Sequence, residues 1–306
     1  LLFFLVSFIL LYFLPEQAFA FGPLVHLKLA EEILRERHFF PDFVRIALSA
    51  SPLAYLYGSF LADLILGKSF FVSDREHSHS WEVGFQLLEK AESLEQKSFA
   101  LGYLSHLAAD TVAHNYFVPV LLLLRRKRFS RGHLSWELLY DRTVLPIFCQ
   151  RLHLLLHHPA RWIHLKFLQR HLKATLFSHP VNSFLFSSQI RLQNRYQRIR
   201  LVREIGRHEF PIPPLFSSRS ERLARSAIYG LLRDPFHSPL LSLDPRGRES
   251  ILRVKRISRN LSRKNAPLTL TQAHEAFFCV FTERIPFKES LDPAKAPLQR
   301  FDGAPS

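Results

Sequence analysis

Within the stretch SHLAADTVAH (residues 105–114), His106, Asp110 and His114 recur at intervals of four. On an α-helix, positions i, i+4 and i+8 fall on nearly one face, so these side chains form a polar stripe about 12 Å long. Leu107, Ala108, Ala109, Val112 and Ala113 occupy the positions between them, which predicts a buried stripe. A buried carboxylate between two imidazoles must be compensated. A divalent metal does this, because imidazole and carboxylate are both zinc ligands. Hydrogen bonds from the two histidines to the acid would do it as well, and these three residues alone leave both readings open.

Other residues of the same types lie nearby. GHLSWELLYD repeats the i, i+4 arrangement with His133 and Glu137, where two side chains of one helix can grip one ion. GSFLADLIL sets Asp63 in a predicted apolar helix, REHSHSW offers His77 and His79 at the start of another, and His26 lies on the first helix after the leader. His153, His157 and His158 have no carboxylate beside them and basic residues around them. They read as surface histidines, as do His164, His171, His179, His208, His237 and His274 as surface or satisfied core positions.

The elements that must position these groups are helical. PLVHLKLAEEILRER, WEVGFQLLEKAESL and SFALGYLSHLAADTVAHNYF repeat apolar residues every three or four positions, and little in the chain alternates as a strand does. The expected fold is all-α: a multi-helix bundle over residues 21–180, the facing helices of which could hold a metal cluster if the candidate residues above converge. Beyond it, residues 181–306 read as a basic helical extension ending in a poorly ordered tail. That extension includes RLQNRYQRIRLVREIGRH, SERLARSAIYGLL and ILRVKRISRNLSRK.

Composition narrows the partners. Forty-one Lys and Arg against 26 Asp and Glu give a net charge of +15, which favours anionic partners: a phospholipid or membrane surface, or nucleic acid. Two cysteines, Cys149 and Cys279, allow at most one internal disulfide, so disulfides are not the scaffold. Residues 1–14 are apolar apart from Ser7, and Pro15 breaks the run before Ala18-Phe19-Ala20. This is the pattern of a signal peptide spanning 1–20, with Phe21 as the mature N-terminus and a secreted or periplasmic destination. An uncleaved N-terminal membrane anchor is the alternative.

FGPLVHLKLAEEIL, YGSFLAD, HSW, LGYLSHLAADTVAHNYFVP and HLSWELLYD together resemble the zinc-dependent phospholipase C family over about residues 21–145. The resemblance implies an all-helical domain holding up to three zinc ions. Asp63, His79, His106 and Asp110 would surround one, with His79 preferred over His77. His114, His133 and Glu137 would hold a second. The third would sit on His26, on Asp110 as a bridging carboxylate, and on the α-amine and carbonyl oxygen of Phe21, which stands where family members commonly have Trp. Asp63 would also accept the proton of the attacking water. The implied activity is hydrolysis of a phospholipid to diacylglycerol and a phosphorylated headgroup. Two other readings accompany it: a three-zinc nuclease acting on single-stranded nucleic acid, a class that shares the fold, and a membrane-associated metal-binding module without turnover.

Overall fold

The computed structural model describes residues 21–64, 76–124, 144, 146–172, 214–262, 272–275 and 277. Among the described residues there are ten α-helices and no strand. They are α1 (Pro23–Arg35), α2 (Asp42–Ala50), α3 (Pro52–Leu61), α4 (Trp81–Glu89), α5 (Leu94–Val112), α6 (Val118–Leu124), α7 (Pro146–His157), α8 (Ala160–His171), α9 (Pro214–Arg233) and α10 (Arg248–Ser262). No helix among these residues is long and apolar enough to cross a membrane. The predicted leader, residues 1–20, lies outside the described residues.

α5 is the axle of the molecule. Every residue from Ser98 to Val112 is buried, as expected of a helix with apolar or small residues on all sides. α2, α3, α4 and α9 pack around it, while α10 lies against its continuation. Polar side chains on the axle are satisfied locally: Ser105 Oγ donates to Leu101 O and accepts from Tyr55 Oη, and Thr111 Oγ1 donates to Leu107 O, each at 2.8 Å. α9 is tied to α1 through ion pairs between Lys28 and Glu221 and between Arg225 and Glu36. The helices beyond residue 213 therefore share one apolar core with the N-terminal ones.

Three local departures from simple helical periodicity matter. The run from Trp81 to Leu94, which reads as one amphipathic helix, breaks at Lys90. Ser93 instead caps α5, its hydroxyl accepting from Gln96 N at 3.1 Å. Asp63 is not inside an α-helix but in a 3₁₀ turn, Ala62–Leu64, that tightens the end of α3. α-Helical geometry also stops at Val112, and residues Ala113–Phe117 form a π-helical turn before α6. His114 lies in that turn, so the stripe predicted through His106, Asp110 and His114 is not carried by regular helix along its whole length.

Two glycines set the distance between α3 and α5. A Cβ on Gly58 would lie 2.0 Å from the Phe99 carbonyl oxygen, and one on Gly102 would lie 2.1 Å from that of Tyr55. The backbones are in contact there, and only glycine permits it. Ser59 follows Gly58 and His106 is one turn beyond Gly102, so this contact fixes how α3 addresses the His106 ring. Gly102→Ala is expected to force the helices apart at a cost of about 1–3 kcal/mol. It should lower the thermal midpoint and weaken zinc retention together. A midpoint equal to that of the parent in thermal unfolding would refute the contact.

Candidate metal centre

Four buried side chains from three segments converge. Asp63 comes from the 3₁₀ turn after α3, His79 from the turn before α4, and His106 and Asp110 from successive turns of α5. One donor atom of each lies within 4.8 Å of all the others. His79 Nε2 is 3.1 Å from Asp63 Oδ1, 3.4 Å from Asp110 Oδ2 and 3.2 Å from His106 Nε2. His106 Nε2 is 3.1 Å from Asp110 Oδ2 and 3.5 Å from Asp63 Oδ1. Zinc bonded tetrahedrally to nitrogen and oxygen at about 2.0–2.1 Å sets its donors about 3.3–3.4 Å apart. The five separations bracket that value.

The outer contacts of the two imidazoles aim their lone pairs at the centre. His106 Nδ1 is 3.0 Å from the Ser59 carbonyl oxygen, which can only accept, so Nδ1 carries the proton. In the neutral ring the inward Nε2 is then a lone pair. His79 Nδ1 lies 2.9 Å from Ser78 Oγ, an arrangement that again turns Nε2 inward as an acceptor when Nδ1–H donates. Two lone pairs and two carboxylates facing one point repel unless a cation or proton lies among them. Outward N–H bonds of this kind orient metal-binding histidines. The donor set fits zinc.

The electrostatics of the metal-free cluster agree. Burial alone would raise the Asp63 and Asp110 carboxyls, but the neighbouring His106 and hydrogen bonds from histidines hold both below the usual carboxylate range, Asp110 well below. Burial would lower His106, yet the adjacent Asp110 and Asp63 push it up to about 9. At neutral pH a proton on His106 thus supplies the positive charge that an ion supplies when bound.

The remaining predicted site residues fall as follows. His26 is buried on α1, its Nε2 3.2 Å from Asp110 Oδ1, and its ring lies 4.1 Å from that of His106. Asp110 therefore faces the four-residue cluster with one oxygen and His26 with the other. Phe21 is buried, its ring 5.5 Å from Phe117 and edge-on to His26 at 6.3 Å. His114 is wholly buried in the π-helical turn and is not among the four. His133 and Glu137 lie outside the described residues. His77 Nδ1 accepts from the His79 backbone N–H at 3.0 Å and so shapes the turn that presents His79. His153, His157 and His158 are exposed, and His164 is a core residue stacked on Phe99. Cys149 is half-buried on α7, while Cys279 lies outside the described residues.

Several supporting groups gave no signal in the sequence. The Ser59 carbonyl acts through its backbone, and Ser78 is one serine among many; Tyr103 Oη donates to the Ser78 carbonyl and anchors the turn from behind. The segment following α9 is another. Trp81 Nε1 donates to Leu243 O at 2.8 Å, Asn115 Nδ2 donates to Asp244 O at 2.9 Å, and Ser250 Oγ donates to Asn115 Oδ1 at 2.8 Å. Gly247 has φ +58°, and a Cβ there would lie 2.3 Å from the His114 carbonyl oxygen. Asn115 Nδ2 also donates to Thr111 O, the oxygen that the residue 115 N–H reaches in a regular helix. Residues 243–250 thus clamp the π-helical turn that carries His114.

A family model described as zinc dependent phospholipase C matches residues 25–182, more than half of the chain and all four converging ligands. No curated protein and no solved structure matches the chain.

Zinc titrations test the geometry in two ways. Ser78→Ala removes the partner of His79 Nδ1 and is expected to weaken zinc binding about 10–100-fold, as loss of such outer contacts does, with little change in the fold. Affinity in the parent should also climb with pH. His106 must shed its proton to ligate, whereas both acids are already ionised at neutral pH, so apparent affinity rises as the pH is raised and levels off above about 9. A flat pH profile would mean that His106 is not a ligand.

Proposed function

The chain belongs to the zinc-dependent phospholipase C family, and on that premise we propose that it hydrolyses the glycerol-side phosphodiester bond of a phospholipid, releasing diacylglycerol and a phosphorylated headgroup. The observation that carries this reading is the convergence of Asp63, His79, His106 and Asp110 with both imidazoles held by Ser59 O and Ser78 Oγ. Zinc bound there supplies positive charge to the phosphodiester oxygens and acidifies the attacking water.

The chain's own groups then have distinct tasks. Asp110, ionised far below neutrality, presents one oxygen to the four-residue cluster and the other to His26, which suits a carboxylate shared between two ions. His106 and His79 donate inward lone pairs of fixed direction, so little reorganisation is required when charge develops on the substrate. Asp63, an anion beside both imidazoles, would accept the proton of the attacking water. The apolar wall of α5 keeps bulk water away and strengthens each of these interactions. His114, His133 and Glu137 would hold a second ion, and a third would be held by His26, Asp110 and the carbonyl oxygen and α-amine of Phe21, the amine being freed by cleavage after Ala20 on export. The burial of Phe21 beside His26 supports that assignment.

The test compares the zinc-loaded and chelator-treated protein on phosphatidylcholine and on single-stranded DNA, with N-terminal sequencing of the exported form. Release of phosphocholine and diacylglycerol by the loaded protein alone is expected. His106→Ala and Asp110→Ala should each remove at least about a hundredfold of the rate together with bound zinc, whereas His153→Ala should leave both unchanged. Cleavage of DNA without lipid hydrolysis would replace this reading with the nuclease one, and a start other than Phe21 would remove its amine from the site.

A further inference from the structure

α7 and α8 carry an unusual surface. From Pro146 to Leu172 there is no Asp or Glu, while Arg151, Arg161, Lys166 and Arg170 are cationic. On the same unit lie four large apolar side chains left in solvent: Leu154 at 68% exposure, Ile163 at 59%, Trp162 at 45% and Ile147 at 43%. Ile147 and Leu154 are seven residues apart, so they share one face of α7. Trp162 and Ile163 fall in the first turn of α8, and Lys166 and Arg170 continue that face one and two turns on.

The presentation is rigid. The corner between the helices is held by His158 N to Leu155 O, Arg161 N to His158 O and Trp162 N to Pro159 O, at 3.1–3.2 Å. Tyr57 Oη donates to Leu155 O at 2.8 Å, and Leu165, Phe167 and Leu168 are buried against the core. Among the described residues, the acids of other helices that reach this unit are Glu31, which pairs with Arg151, and Glu95, 3.6 Å from His164. Lys166 and Arg170 are exposed and make no ion pair among the described residues. The Arg161 guanidinium lies over the Trp162 ring at 4.6 Å, which sets a positive charge at the rim of the apolar tip.

We propose that the outer face of α7 and α8 docks the protein on an anionic phospholipid bilayer. Leu154, Trp162 and Ile163 enter the headgroup region, and Lys166 and Arg170 meet the lipid phosphates. An indole, branched aliphatics and snorkelling cations with no compensating acid among the described residues fit that interface rather than a protein surface with mixed charges. α10 is also basic, but it exposes Leu252 next to Glu249 and carries its charge without a comparable apolar tip. The assignment rests on the phospholipid reading only in that the docked bilayer would contain the substrate.

Co-sedimentation of the full-length protein with phosphatidylcholine vesicles, with and without phosphatidylglycerol, tests it. The parent should bind the anionic vesicles. The triple variant Leu154→Ser, Trp162→Ala, Ile163→Ser should lose roughly tenfold or more in partitioning at an unchanged thermal midpoint. Lys166→Gln with Arg170→Gln should abolish the preference for phosphatidylglycerol. Neutralising Lys255, Arg256 and Arg259 on α10 should change partitioning by less than about twofold. Failure of the parent to bind, parental binding by the triple variant, loss of binding through α10 instead, or a dimer in solution that the triple variant splits would each overturn the proposal. Hydrolysis of a monomeric short-chain phosphatidylcholine separates the two readings, because the triple variant should retain it. Turnover with docking unaffected by the triple variant sinks this surface alone. Docking through the triple-variant residues with no phospholipid hydrolysed in any form sinks the proposed activity alone.

Discussion

The structure turns on one electrostatic demand: Asp63 and Asp110, two carboxylates, are buried with His79 and His106 in the core of a helical bundle. Removing a carboxylate from water costs several kcal/mol even after relaxation, and here two stand around one point. A buried pair of acids survives only if positive charge comes with it. In the metal-free chain a raised His106 supplies that charge as a proton; in a zinc-dependent enzyme the ion supplies it. The cluster is thus built to exchange one cation for another, and the remaining features of the core arrange the four donors for that exchange.

Geometry follows from this demand through a few close contacts. The backbone approach at Gly58 and Gly102 brings the Ser59 carbonyl to His106 Nδ1, which decides the tautomer and the direction of the inward lone pair. The 3₁₀ turn at the end of α3 places Asp63 where a continued α-helix would not. The turn before α4 is folded by His77 accepting from the His79 backbone, by Tyr103 bonding to Ser78 O, and by the Ser80 cap on Val83 N. Each device is local, and together they fix four side chains from three separate stretches of chain.

How far the sequence could be read follows from the same distinction. The helical class and the burial of α5 are legible because they depend on side-chain periodicity, which is written directly in residue types. His106 and Asp110 are legible because both sit on one helix at a fixed interval. What escaped depends on backbone geometry: the 3₁₀ turn at Asp63, the break at Lys90 and the π-helical turn at Ala113 change direction without any change in apolar pattern. The roles of Ser59 and Ser78 escaped for a related reason, since a carbonyl has no residue signature and a serine has too many uses.

The π-helical turn also bears on what counts as the structural unit around the metal centre. The family match ends at residue 182, yet Leu243, Asp244, Gly247 and Ser250 grip Trp81, Asn115 and the His114 backbone. A π-helical turn gives up regular i to i−4 bonding and persists where outside partners compensate. Asn115 does this on one side through Thr111 O and on the other through Asp244 O and Ser250 Oγ. The positive φ of Gly247 lets the C-terminal segment approach closely enough to complete the contact, since a side chain there would collide with the His114 carbonyl. The conformation of the turn that bears His114 is therefore settled by residues more than a hundred positions downstream, so the helices after residue 213 are structural partners of the metal-binding region.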